Sequence, residues 1–296
     1  MNKIIFIDVD GTLINYKGIT PISAKKAINI TRDSGNTIFL CTGCSKYELS
    51  KRDLPIVDGI IGGNGTYIEY HDKVLFHNFL SKEDTKEIVD YLNNKKLGFY
   101  LESNEGLFCN EYMLIGGLDV LTKYSLGKGK DIKSSKDSAN NFLKSMILLK
   151  EDKLYRDDVN KISYILSSYN DYLEFKNTFN YLNNGTWGGK DSNALFGDVS
   201  IKDIDKGKSI DFVLNYLNIS KEDSIAFGDA TVDLSMFEKC KVSVAMGNGS
   251  NDIKRYASYI TDDVDNDGLY KAFEYLRLVW LCLWYLKFNF KIYILL

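Results

Sequence analysis

The chain has 296 residues, of which 45% are hydrophobic and 26% are charged, and its formal net charge is -3. This composition is typical of a soluble globular protein, and the charge argues against a surface that binds nucleic acid or an anionic membrane. The first residues lack the pattern of a signal peptide and the five Cys residues are irregularly spaced, so we expect a cytoplasmic protein without a disulfide framework.

The first part of the chain alternates between strand and helix patterns. Residues 4–9 and 37–41 are short apolar runs typical of buried parallel strands, and a helical pattern between Pro21 and Gly35 connects them. Residues 60–61 predict another short strand. This order predicts a strand–helix–strand unit at the start of an α/β domain.

The only two His residues, His71 and His77, flank a short apolar run typical of a hairpin strand. A His-based catalytic triad or a His-rich zinc site is therefore not expected. Any general acid or base should be a carboxylate or a lysine.

Between residues 82 and 190 the pattern changes, and we interpret this region as a second, smaller α/β domain inserted into the first. The elements predicted here are helices at 84–93 and 157–167, strands at 98–101, 144–149 and 172–176, and a polar loop at 127–141. The loop at 183–190 offers Trp187 and Lys190 as substrate contacts, although a hinge or a surface loop is the preferred interpretation.

After residue 190 the opening pattern returns. The predicted elements are strands at 199–201, 224–227, 242–245 and 259–260 and helices at 207–217 and 250–256. We therefore predict an α/β fold with a doubly wound, mostly parallel sheet formed by residues 1–81 and 191–277. In such a sheet the functional loops lie at the carboxyl ends of the strands.

The apolar segment 278–296 is interrupted by Lys287, Asn289 and Lys291. A membrane-spanning helix needs about 20 mostly apolar residues. We therefore expect a docked terminal element or an oligomer contact rather than a membrane anchor.

The segment Asp8-Val9-Asp10-Gly11-Thr12 directly follows the first predicted strand. Side chains at i and i+2 of a strand point the same way, so Asp8 and Asp10 can converge where the strand ends. Two close carboxylates repel each other unless a cation or a proton is shared, which favours a Mg²⁺ site. The alternative is an acidic turn that caps the next element.

Further polar groups fall at the ends of other predicted strands. In chain order they are Thr42 with Gly43 after residues 37–41, Lys206 after residues 199–201, and Asp229 with Asp233 after residues 224–227. Because the carboxyl ends of parallel strands meet at one edge of a sheet, we expect these groups in one crevice. The helix start next to Lys206 favours an anion there.

These motifs resemble, in this order, those of the haloacid dehalogenase-like hydrolase superfamily, and specifically its Cof-type phosphatase branch. Supporting matches are residues 244–249, which include Asn248, then Lys254, and then Asp267-Gly268. The resemblance covers about residues 3–276. It implies a Rossmann-like core and a C2-type cap domain between the second and third motifs, which agrees with the inserted region 82–190.

By position, the resemblance implies that Asp8 is the nucleophile that forms an aspartyl-phosphate and that Asp10 is the general acid and base. The remaining roles that it implies are phosphate binding by Thr42, Gly43 and Lys206, Mg²⁺ binding by Asp8, Asp10 and Asp229, and support by Asp233 and Asn248.

Two positions depart from the family pattern, with Cys44 at a usual Arg and Val232 at a usual Asn. Neither position is that of the nucleophile, the acid or a metal ligand. We expect the change at Val232 to weaken the support of the metal site, by about tenfold in affinity or rate, without changing the reaction.

Two other patterns favour different functions. The acidic segment 263–268, with Glu274, fits the calcium loop of an EF-hand, but residues 259–261 predict a strand where an EF-hand needs a helix. Cys41 and Cys44 form a CxxC pattern, but no second close Cys pair accompanies them. We therefore expect neither calcium binding nor redox chemistry.

The sequence thus predicts a magnesium-dependent phosphatase for a small phosphomonoester, with a sugar phosphate or a phosphorylated cofactor as the substrate class. Two alternatives stay open. One is a phosphomutase, which shares the nucleophile. The other is a catalytically weak protein that binds a phospho-ligand, for which Cys44 and Val232 are the reason.

Overall fold

The computed structural model describes residues 2–189 and 191–279. The strands in these ranges are β1 (Ile4–Ile7), β2 (Thr37–Cys41), β3 (Gly59–Gly62), β4 (Tyr67–Tyr70), β5 (Lys73–His77), β6 (Phe99–Ser103), β7 (Leu107–Cys109), β8 (Met146–Leu148), β9 (Val159–Ile165), β10 (Asn183–Trp187), β11 (Phe196–Ser200), β12 (Ser224–Gly228), β13 (Val242–Ala245) and β14 (Tyr259–Ile260). The helices in the same ranges are α1 (Ile22–Asp33), α2 (Lys46–Ser50), α3 (Lys82–Asn94), α4 (Glu111–Gly127), α5 (Ile132–Lys144), α6 (Tyr169–Thr178), α7 (Lys206–Leu217), α8 (Leu234–Lys239), α9 (Asn251–Tyr256) and α10 (Gly268–Tyr275).

The first sheet has the strand order β14-β13-β12-β1-β2-β3-β4-β5. The strands from β14 to β3 run parallel, and β4 and β5 form an antiparallel edge. Both faces of β1 are buried, because Ile5 and Ile7 pack with α1 and α10 while Ile4 and Phe6 pack with α7, α8 and α9. The doubly wound, mostly parallel sheet is therefore confirmed. We call this sheet with its helices the core unit.

The second sheet has the strand order β10-β11-β9-β6-β7-β8 and is antiparallel except for the pair β7 and β8. Helices α3 and α6 cover one face, and α4 and α5 cover part of the other. This is the second α/β unit expected between the two halves of the first. We call this sheet with its helices the cap unit.

Several predicted elements of the cap unit are wrong. The helix predicted at 157–167 is strand β9, the strand predicted at 172–176 lies in α6, and the polar loop predicted at 127–141 contains most of α5. In β9 the apolar residues Val159, Ile162 and Ile165 recur every three positions, which imitates helical spacing. The strand is nevertheless almost wholly buried on both faces, so it lacks the alternation of a half-exposed strand.

The strand predicted at 199–201 is β11, and it pairs with β9 and β10 in the second sheet. The prediction that Lys206 follows a strand of the first sheet is therefore wrong. Strand propensity is the same in both sheets, so the residue pattern does not reveal which sheet β11 joins. We propose that the two domains divide near residues 78–81 and 201–205 rather than at residue 190.

The chain returns to the core unit at its described end. Leu278 and Val279 are buried in the apolar cluster formed by α1 and α10. The rest of the segment predicted as an apolar tail, residues 280–296, lies outside the described residues. Within residues 2–189 and 191–279, no helix combines the length and the apolar content needed to cross a bilayer.

Candidate active site

The carboxyl ends of three neighbouring strands meet at one edge of the first sheet. Asp8 follows β1, Thr42 follows β2 and Asp229 follows β12. These three residues line one cavity, together with Lys206 from the first turn of α7. The fold therefore brings carboxylate and hydroxyl groups together, as the strand-end pattern predicts, and the ammonium joins them from a helix rather than from a strand end of this sheet.

Lys206 forms the buried base of this site. Its Nζ lies 2.6 Å from Asp8 Oδ1 and 2.7 Å from Asp233 Oδ1, and its side chain is only 2% exposed. Burial lowers the pKa of this ammonium, but Asp233 and Asp8 outweigh that effect and raise the pKa above its usual value. Lys206 is therefore held as a cation directly beside Asp8.

Asp233 connects this ion pair to the turn after β12. Its Oδ2 accepts hydrogen bonds from the backbone N–H groups of Asp229 at 3.2 Å and Ala230 at 3.1 Å. Its other oxygen accepts the bond from Lys206. One fully buried carboxylate thus fixes both the turn that carries Asp229 and the ammonium that faces Asp8.

Three carboxylates form a group that suits a divalent cation. Oxygen atoms of Asp8, Asp229 and Asp233 lie within 4.8 Å of one another. Three carboxylates and the single ammonium of Lys206 leave two uncompensated negative charges when all four groups are ionised. Carboxylate oxygens in such a group are the ligands that Mg²⁺ prefers. The set differs from the predicted one, because the side chain of Asp10 is not part of it.

Burial and mutual repulsion shift the pKa values of carboxyl groups in this acidic group. Burial, and then the nearby Asp233, raise the pKa of Asp8 well above its usual range, against the opposing effect of Lys206. The same two causes raise the pKa of Asp229 to about 6. Carboxylates that repel one another in a buried place are stabilised by a bound cation, so these shifts agree with a metal-binding role.

Asp10 lies at the cavity but pairs with a residue that the sequence analysis missed. Arg52 Nη1 donates to Asp10 Oδ1 at 2.8 Å, and Arg52 Nη2 donates to Cys44 Sγ at 3.1 Å. The guanidinium therefore sits beside the position at which the family usually has Arg and this chain has Cys44. No local pattern identifies Arg52, since it reaches Asp10 from 42 positions away in the sequence.

The turn after Asp10 is fitted closely to Asp229. Gly11 has a φ of +92°, and a Cβ added to it would overlap the carboxylate of Asp229. Asn248 Nδ2 donates to the carbonyl oxygen of Gly11 at 2.7 Å, and the hydroxyl of Tyr16 donates to Asp229 Oδ2 at 2.9 Å. Asn248 thus supports the turn itself, while Tyr16 is a further contact of Asp229 that the motifs do not reveal.

The remaining predicted residues lie around the same cavity. Thr42 Oγ1 accepts a hydrogen bond from the backbone N–H of Cys44 at 3.1 Å, and Gly43 packs closely against Asn64. Val232, at the usual Asn position, is 54% exposed and lies at the rim of the cavity. Its apolar side chain offers no hydrogen bond to the acidic group below it.

The CxxC pattern does not produce a reactive thiol pair. Cys41 and Cys44 are both free cysteines. Burial is the main cause that raises the pKa of each thiol above its usual value. A raised pKa disfavours the thiolate that redox or zinc chemistry requires.

A cavity of about 890 Å³ lies between the core unit and the cap unit. Its cap wall includes Tyr100, Glu102, Tyr124, Lys161, Trp187 and Asp198. The Trp187 ring stacks on Phe196 with 3.9 Å between ring centroids, whereas Lys190 lies outside the described residues. Lys128 of the cap unit lies with its Nζ 5.3 Å from the centre of the Tyr16 ring, which is a cation–π contact between the two units.

The family profile of haloacid dehalogenase-like hydrolases matches residues 5–273 of this chain. Among curated proteins, a 5-amino-6-(5-phospho-D-ribitylamino)uracil phosphatase of Bacillus subtilis is 23% identical over 294 residues, which cover 90% of this chain and 95% of the relative.

Solved structures show the same fold. A haloacid dehalogenase-like hydrolase of B. subtilis aligns with a TM-score of 0.78 and 22% identity, over 93% of this chain and 99% of that one. A sugar phosphatase of subclass IIB of the superfamily aligns with a TM-score of 0.71 and 23% identity, over 94% of this chain and 100% of that one. At these identities the structural likeness concerns the fold alone.

Proposed function

The chain belongs to the haloacid dehalogenase-like hydrolase family, and on this premise we propose that it hydrolyses a small phosphomonoester through an aspartyl-phosphate on Asp8. The observation that carries the proposal is the position of Asp8. Its carboxylate follows β1, is paired with the buried Lys206 and faces a cavity that a substrate can occupy.

In the first half of the proposed reaction, an oxygen of Asp8 attacks the phosphorus atom of the substrate and the bond to the leaving oxygen breaks. Lys206 holds the other carboxylate oxygen at 2.6 Å, which orients the nucleophile and favours its ionised form against the effect of burial. The ammonium also offers positive charge beside the phosphoryl oxygens, and Thr42 and Gly43 offer a hydroxyl and a backbone N–H at the same edge.

Asp10 is proposed to protonate the leaving oxygen and then to remove a proton from the water that hydrolyses the aspartyl-phosphate. Its carboxylate lines the same cavity as Asp8 and contacts Arg52. We infer that Arg52 orients Asp10, in a place where the family usually positions an Arg of the second motif.

Asp8 and Asp229, supported by Asp233, are the residues proposed to hold Mg²⁺. A Mg²⁺ ion held by these residues would supply positive charge that offsets the charge of the phosphoryl group. The fit rests on the three close carboxylates and on the raised pKa values of Asp8 and Asp229.

The names of the relatives support a sugar phosphate or a phosphorylated cofactor as substrate class. One relative acts on a phosphoribitylamino-uracil, and one structural neighbour is a sugar phosphatase. Both leaving groups carry hydroxyl groups and fit the size of a cavity of about 890 Å³.

The test is a phosphate-release screen over sugar phosphates, nucleotides, cofactor phosphates and an activated aryl phosphate, with Mg²⁺ and with a chelator. We expect turnover only with Mg²⁺ and none in Asp8→Asn, whose fold is checked by circular dichroism. Near-native activity of Asp8→Asn would refute the nucleophile assignment.

The same screen separates the two rival functions. Turnover that depends on an added sugar bisphosphate, with transfer of the phosphoryl group to a second position, would identify a phosphomutase. Binding of a phosphate ester without release of phosphate from any substrate would identify a non-catalytic binding protein.

A further inference from the structure

The cap unit carries a charged cluster that the proposed chemistry does not use. Glu102 lies on β6, Lys161 on β9 and Asp198 on β11, and these strands are neighbours in the second sheet. Glu102 pairs with Lys161 across β6 and β9, and Ser163 pairs with Asp198 across β9 and β11. Paired residues share a face of the sheet, as do residues i and i+2 of one strand. The four side chains therefore lie on the same face.

Next to α4, the neighbouring part of that face is apolar. Tyr100 and Phe196, which neighbour the cluster on β6 and β11, pack with Met113 and Leu121 of α4. Helices α4 and α5 thus cover part of the face, and the charged cluster occupies the part that opens to the cavity. All three charged residues line the cavity together with Asp8 and Lys206.

Glu102 contacts two other members of the cluster. Lys161 Nζ lies 3.2 Å from Glu102 Oε1, and Ser163 Oγ donates to the same oxygen at 2.9 Å. The Glu102 side chain is only 4% exposed. A buried ion pair contributes little to stability, and well-packed apolar residues of similar volume often replace it without loss. Stability therefore does not explain three charged residues on an apolar face.

We propose that Glu102, Lys161 and Asp198 recognise the leaving group of the substrate and select one that carries several hydroxyl groups. This inference rests on the proposed phosphatase function. Carboxylate oxygens accept hydrogen bonds and an ammonium donates three, so the cluster matches hydroxyl groups, which do both. Two carboxyl groups face one ammonium, and this balance disfavours a second phosphate at the cluster.

The readout is the preference for a pentitol 5-phosphate over pentyl phosphate, as a ratio of kcat/KM values. The two esters have the same chain length and differ in their hydroxyl groups. A site built to bind hydroxyl groups rejects an analogue that lacks them, so we expect a preference of at least about 100-fold. A variant that loses activity through a general defect lowers both kcat/KM values and leaves their ratio unchanged.

Two variants and one control test the assignment. Glu102→Gln/Lys161→Met removes both charges of the ion pair together, so that neither partner of the pair is left as an unpaired charge, and Asp198→Asn removes the third. We expect each to lower the preference by about tenfold or more, mainly through a higher KM for the pentitol phosphate. The control is Glu174→Gln, because Glu174 forms an exposed ion pair with Lys95 elsewhere on the cap unit.

The outcomes separate this inference from the proposed function. If the wild-type protein does not hydrolyse even an activated aryl phosphate, the phosphatase function is refuted. If it does, and the preference is absent or unchanged in both variants, the specificity assignment is refuted. A higher kcat/KM for a pentitol bisphosphate than for the monophosphate would also refute it.

Discussion

At the scale of single residues, Lys206 determines the arrangement of the site. It lies between Asp8 and Asp233, so it orients the proposed nucleophile and links it to the turn that carries Asp229. The motif pattern identifies these residues, because each belongs to a short segment of fixed type. It does not identify Arg52, whose contact with Asp10 depends on the path of the chain through α2.

Asp229→Asn is expected to stabilise the metal-free protein at pH 7. Burial and Asp233 raise the pKa of Asp229 to about 6 in the folded protein, against about 4 in an unfolded chain. Between these values the folded protein binds more protons, so its free energy of unfolding falls as the pH rises from about 4 to about 6. Once both states are ionised, this raised pKa lowers the free energy of unfolding by roughly 3 kcal/mol. The neutral amide of the variant avoids this loss.

Thermal unfolding at pH 5 and pH 7.5, with a chelator and with Mg²⁺, measures this effect. The variant should show a smaller pH dependence and no stabilisation by Mg²⁺. Asp252→Asn, at an exposed acid of α9, is the control and should behave as the wild type. A wild-type protein whose metal-free stability rises over this pH range would contradict the assignment.

Arg52→Met is expected to lower kcat/KM by about 10- to 100-fold, because Asp10 loses the guanidinium that orients it. Arg52→Lys keeps the positive charge, but a single ammonium cannot contact Asp10 and Cys44 in the way that the two guanidinium nitrogens do. We therefore expect an activity between those of Arg52→Met and the wild type. Steady-state kinetics with one phosphate ester compares the two variants. Equal activity of Arg52→Met and the wild type would show that Asp10 needs no such partner.

At the scale of elements, the core unit could be predicted and much of the cap unit could not. Strands such as β1 and β2 are fully or almost fully buried between helices, so they read as continuous apolar runs. In the cap unit, β9 combines polar residues on the cavity side with apolar residues at helical spacing, and α5 buries only Ser135 and Ala139 on its inner face. The apolar spacing of β9 is thus typical of a helix, and α5 is mostly polar, so the residue pattern predicts the wrong structure for both elements.

The close packing of Gly11, in the turn after β1, against the carboxylate of Asp229 can be tested directly. Gly11→Ala should cost about 1–3 kcal/mol of stability through its positive φ and should also displace the Asp229 carboxylate. We therefore expect it to lose most activity and the stabilisation by Mg²⁺.

Gly18→Ala is the matched control. Gly18 has a φ of +81°, but a Cβ there meets no atom within 4 Å. It should lose a similar amount of stability in chemical denaturation and keep its response to Mg²⁺. Equal loss of the Mg²⁺ response in both variants would show that backbone strain alone, and not contact with Asp229, is responsible.

At the scale of the whole molecule, the core unit carries the reacting groups and the two units share the cavity. The proposed metal-binding residues all lie on the core unit, whereas the cavity is lined by both units. Bound ligands slow local opening where they make contact. We therefore expect Mg²⁺ and a bound substrate analogue to protect different parts of the chain against hydrogen exchange.

Hydrogen exchange measures this difference. Mg²⁺ alone should slow exchange in the turns after β1 and β12, and a bound, non-hydrolysed substrate analogue should slow exchange in β6 and β9 as well. Asp229→Asn should remove only the effect of Mg²⁺. Protection of β6 and β9 by Mg²⁺ alone would contradict a metal site confined to the core unit.

The placement of β11 has a consequence for protein engineering. Only residues 201–205 separate the last strand of the cap unit from Lys206, and Asp205 caps α7 by accepting a hydrogen bond from the backbone N–H of Lys208 at 2.8 Å. A chimera that takes its cap from another protein must therefore rejoin the host sequence after β11 and before Asp205. A junction at residue 190 would take β11, an inner strand of the second sheet, from the host while the rest of that sheet came from the other protein. A junction beyond Asp205 would replace Lys206 of the host together with the cap.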